Sequence, residues 1–144
     1  METKFNFKSS VCTSREQSER LLALGLKKET ADMTIHIKND DGWYVTAEPF
    51  YEWEDDMNTI PSLEETEQIL PAWSLGRLIE IMPIYLVPKG SLDKSFMLSK
   101  KYPSGYSVEY DAFAYYEEEN IYDTLIEEIE HLIKEGYFNK EYLV

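Results

Sequence analysis

The clearest hydrophobic pattern in the chain lies near its end. Tyr122, Leu125, Ile126, Ile129, Leu132 and Ile133 recur at helical spacing, with Asn120 in place to cap the start and Gly136 to close the end. A shorter pattern, Leu75, Leu78, Ile79 and Met82, predicts a second helix between Pro71 and Pro83. Proline suits a first helical turn, and Ser74 is an alternative cap if the helix starts later. A third helix is expected over 13–26, with Thr13 and Glu16 at capping-box spacing and Gly25 at the C-terminal cap.

Between these helices the period changes to two. Met33, Ile35 and Ile37 alternate with Thr34, His36 and Lys38, then Asn39, Asp40, Asp41 and Gly42 form a turn. Trp43, Val45 and Ala47 continue the alternation as a return strand. Ile84–Val87 reads as a short strand. A second hairpin, 96–101 with 106–115, crosses a turn built on Pro103 and Gly105. Lys4–Lys8 alternates like a brief strand. The expected fold class is α+β: one domain of about five antiparallel strands, its helices at 71–82 and 120–135 on one face. The helix at 13–26 packs nearby or at an edge.

Charge changes this picture more than composition does. Over 144 residues the formal net charge is −14, against roughly 2–8 in magnitude for a small domain. Direct binding to nucleic-acid phosphates or to an anionic membrane is therefore disfavoured; solubility is the plain explanation for such acidity, and a basic protein partner is the sharper alternative. Eight acids and no Lys or Arg fall between Glu48 and Glu67, and none of either cation interrupts 102–133. Two acidic-aromatic segments stand out as a candidate interaction surface: Tyr51, Trp53, Glu54, Asp55 and Asp56 in the first, and Tyr115, Tyr116, Glu117 and Glu118 in the second. The second continues into Asp123, Glu127, Glu128 and Glu130.

Catalytic chemistry is poorly represented. His36 and His131 stand without a metal-ligand interval such as HExxH, and no GxSxG, GxGxxG or P-loop motif occurs. Glu52, Glu54, Asp55 and Asp56 lack the order of an EF-hand. No cofactor and no metal is expected. The single cysteine, Cys12, can form no internal disulfide and fits a reducing interior. With no signal-peptide pattern at the N-terminus and no membrane-length apolar run, a cytoplasmic setting is expected.

Three segments carry a resemblance: Glu16 to Met33, Leu70 to Pro83 with Ala72-Trp73-Ser74-Leu75 at its heart, and the end of the last helix, Ile133 to Tyr137. In that order they resemble a family of small uncharacterised proteins from Bacteroidetes-type gut bacteria and their phages and mobile elements. The resemblance implies a cytoplasmic domain carried on mobile DNA, and it carries over no catalytic residue. Together these readings point to a non-enzymatic interaction protein. The alternatives are a DNA-mimic inhibitor of a host nucleic-acid-binding protein and a small enzyme with a carboxylate and tyrosine site.

Overall fold

A computed structural model describes residues 9–38, 42–50, 67–86, 94–102, 104–110 and 115–144. The elements run α1 (Arg15–Ala23), β1 (Met33–Lys38), β2 (Gly42–Thr46), β3 (Glu67–Ala72), α2 (Leu75–Ile81), β4 (Tyr85–Leu86), β5 (Lys94–Lys100), β6 (Tyr106–Tyr110), β7 (Tyr115–Glu118) and α3 (Ile121–Glu135). The fold is α+β with antiparallel strands and helices packed on sheet, as the patterns predict. The described strands form two sheets, ordered β2-β1-β3 and β4-β5-β6-β7.

Both long helices end as their glycines predict. After α1, Gly25 takes φ 100° and donates to the Leu22 carbonyl, while Leu26 N–H reaches back to Leu21. This is a Schellman closure, and its apolar contact is the buried pair Leu21 and Leu26. Gly136, at φ 79°, closes α3 in the same way, with Tyr137 N–H on the Leu132 carbonyl. At the start of α3, the Asn120 side chain accepts from the N–H groups of Tyr122 and Asp123. The last residues then fold onto the end of α1, where Val144 N–H donates to Gly25 and Lys27 N–H to Tyr142.

Two helix starts differ from expectation. The α1 capping box is Ser14 with Gln17, one residue later than Thr13 with Glu16. Thr13 is instead buried, its hydroxyl 2.8 Å from that of Ser18. Pro71 lies in β3 opposite Thr34, and α2 begins only after the Ser74 cap. β3 is an edge strand, where a residue without an N–H is tolerated. Ile79, expected on the buried stripe, is 36% exposed, and Leu78, Ile81 and Met82 carry the buried face.

The main core joins α1, α2 and α3 to the inner face of the second sheet. It contains Leu21, Trp73, Leu78, Val108, Tyr110, Leu125, Ile129 and Leu132 among its buried residues. A smaller cluster of Cys12, Ile35 and Ala72 lies on one face of the first sheet, flanked by Met33, Ile37, Val45 and Leu70. The second hairpin pairs Phe96 with Tyr110 and Leu98 with Val108, so those four share the core face. The strand expected over 106–115 is represented by β6 and β7, which pair with each other.

Candidate interaction surface

The residues singled out from sequence fare unequally. Tyr51, Trp53, Glu54, Asp55 and Asp56 lie outside the described residues, as do the Lys4–Lys8 segment and most of the acidic stretch between Glu48 and Glu67. Tyr115, Tyr116, Glu117 and Glu118 form β7, at the end of the second sheet's strand order. Glu118 is exposed; of the other three only the backbone is described.

The acids that continue this run along α3 are not a free acidic face. Arg20, on α1, donates to Glu127 and to Glu130 at 2.8 Å each. Gln17, one turn earlier, donates to Asp123 at 2.9 Å. The guanidinium holds the Glu130 carboxyl below its usual range, with Lys134 adding to the effect. Glu128, expected among the outward acids, is fully buried. Its side chain stands three residues beyond Leu125 and four before Leu132, on the buried stripe itself. That spacing was the available signal.

Glu128 is electrostatically unusual. Neither carboxylate oxygen has a hydrogen-bond partner, and burial pushes its pKa up to about 7. Tyr110, on β6, is raised further from its ordinary value by burial and by the Glu128 charge; its hydroxyl donates to the Pro83 carbonyl at 2.8 Å. Burial, with the Asp32 carboxylate as a smaller cause, also raises the Cys12 thiol, which keeps it protonated and unreactive.

The Ala72-Trp73-Ser74-Leu75 segment is a structural junction between the two clusters. Ala72 belongs to the smaller cluster and Trp73 to the main core. Trp73 is fully buried; its backbone N–H donates to the Thr13 hydroxyl and its indole N–H to Thr30. Asp32 accepts from both the backbone N–H and the hydroxyl of Ser74, which in turn caps α2. Arg77 donates to the Thr30 carbonyl at 2.8 Å. The described partners of Trp73 thus come from the chain entering α1 and the turn before β1.

An exposed counterpart to Trp73 occurs on the first sheet. Trp43 pairs with Ile37 and Val45 with Ile35, so all four share the apolar face with Leu70, which stands opposite Ile35 on the other side of β1. Ile35 is buried, Ile37 and Val45 are half-buried, and Trp43 is 70% exposed. Together with Ser14, Arg15, Glu16 and Gly42, the residues Ile35, Ile37 and Trp43 line a groove of about 350 Å³. Sequence patterning assigned Trp43 to this apolar face. It could not show that a groove opens between this face and the start of α1. The opposite face of β1 corrects another reading: His36, expected on a polar face, is buried, stacked on Tyr44 and 3.0 Å from the Thr46 hydroxyl.

Two larger clefts offer less. The one bounded by Lys27, Lys28, Glu29, Arg77, Glu80 and Tyr142 mixes both signs of charge, and Arg77 is paired with Glu80 at 3.1 Å. The other lies between Ser9–Val11 and the starts of α2 and α3. Glu128 lines neither of them, nor the Trp43 groove. Among the described residues, no group of three His, Cys, Asp or Glu could hold a metal ion, and no helix is long and apolar enough to cross a membrane. No family model, curated protein or solved structure matches the chain.

Proposed function

We propose that this chain is a non-enzymatic interaction module that binds a cationic partner protein through the Trp43 face of its first sheet. The observation that carries this reading is a large aromatic left 70% exposed beside a half-covered apolar groove. A tryptophan flanked by aliphatic side chains is the residue type most enriched among energetic hot spots. The face needs little rearrangement to bind, because Ile35 and Ile37 are already fixed in the strand ladder. The net charge of −14 supports a basic partner by speeding its approach and repelling acidic competitors. The resemblance of the Ala72-Trp73-Ser74-Leu75 segment to mobile-element proteins supports a role in the host cell of such an element.

The alternatives have less support. A DNA mimic needs rows of free acids, whereas Asp123, Glu127 and Glu130 are engaged by α1 and Glu128 is buried. A carboxylate enzyme needs its raised-pKa acid to face substrate, and Glu128 has no exposed surface.

The test is affinity capture from host lysate with the wild-type chain and a Trp43→Ala variant, at low and at high salt. The wild type should retain a basic protein that the variant loses by about thirty-fold or more, the effect of removing a hot spot worth about 2 kcal/mol. Equal recovery by both proteins would reject this surface.

A further inference from the structure

We propose that Glu128 is a proton-operated latch on the terminal helix: while protonated it lets α3 stay seated on the second sheet, and on ionising it loosens that seat. The argument starts from placement. Glu128 is fully buried, between Leu125 and Leu132 on the helix face that packs against β6 and β7, and both of its oxygens lack a hydrogen-bond partner. An ionised carboxylate in that position has lost its water and gained no donor, so it must either hold a proton or return to solvent.

Among the described residues, the elements packed on α3 place no compensating charge against Glu128. From α1, Arg20 is engaged by Glu127 and Glu130, and Arg15 by Glu19. From α2, Arg77 and Glu80 pair with each other. From β6, Tyr110 commits its hydroxyl to Pro83, and Glu109 lies on the opposite face, across from Met97. From β7, Glu118 is exposed, while Tyr115, Tyr116 and Glu117 are described by backbone alone. On α3 itself, His131 stands three residues on and is half-buried. Burial raises the Glu128 pKa to about 7, which sets the release of the proton near neutrality.

The direction follows from linkage. Opening the seat returns Glu128 to water and to an ordinary carboxyl pKa, so the opened form gains on the closed one as pH rises from the ordinary range toward 7 and slightly beyond. Between pH 6 and pH 8 the opening equilibrium should rise on the order of ten-fold.

Hydrogen exchange of the wild-type chain and of Glu128→Gln, at pH 6 and pH 8 and corrected for intrinsic exchange rates, reads this directly. Protection of the α3 amides should fall about ten-fold in the wild type and stay level in Glu128→Gln. A His131→Gln variant should keep the wild-type fall, which separates the latch from histidine titration. A carbon-13 titration of the Glu128 carboxyl in the wild type, which needs no variant to fold, should show a midpoint near neutrality. A midpoint in the ordinary carboxyl range, an equal fall in Glu128→Gln, or loss of the fall in His131→Gln would each overturn the latch.

Discussion

Two tryptophans of the same chain take opposite roles because of what surrounds them. Trp73 is fully buried with its indole N–H on Thr30, so Trp73→Ala should cost about 3–5 kcal/mol in urea denaturation and leave the domain close to unfolding. Trp43→Ala removes an exposed side chain and one cross-strand neighbour, and should cost no more than about 1 kcal/mol. Glu128 makes a third residue-scale prediction. Its folded pKa of about 7 lies above the ordinary carboxyl value, so the associated stability is complete at low pH and is lost as pH rises through about 7. Relative to the wild type, Glu128→Gln should gain on the order of 2 kcal/mol between pH 5 and pH 8, measured by urea midpoints at the two pH values. The position of Glu128 on the apolar stripe was legible as helical spacing. Its identity as an acid drew it instead into the surface run, and only packing shows which claim prevails.

At the scale of elements, local signals were read well where one residue type dictates one backbone conformation. The glycine closures of α1 and α3 and the Asn120 cap are of this kind. The errors arose where a residue suits two settings. Proline fits a first helical turn or an edge strand, and the edge position of β3 is a matter of long-range pairing. Thr13 and Ser14 each stand three residues before a side chain able to complete a capping box. The competition is decided by Trp73, whose backbone binds Thr13. The contact between α1 and α3 was also hidden in one dimension, since Arg20 lies more than a hundred positions from Glu127 and Glu130. These side chains are about a third exposed, so Arg20→Met should cost no more than about 1 kcal/mol at low salt. Most of that loss should vanish in 1 M salt, which denaturation at the two ionic strengths would show.

For the molecule as a whole, the proposed binding assigns the approach of a partner to the acidic balance and the place of contact to a small apolar area. Sequence drew attention to the acids because charge is visible residue by residue. Incomplete cover is not: the groove beside Trp43 opens between the start of α1 and the sheet face carrying Ile35 and Ile37. Asp123, Glu127 and Glu130 of α3 belong to the internal contacts of the fold, held by Gln17 and Arg20. The proposed binding face centres on Trp43. Its most direct test is site-specific photocrosslinking in cells, with a benzophenone amino acid placed at Glu16, an exposed residue lining the groove beside Trp43, or, as a control, at the 98% exposed position of Tyr102. One discrete adduct with a basic protein is expected from position 16 and none from position 102. No adduct at 16, or the same adducts from both positions, would overturn this surface.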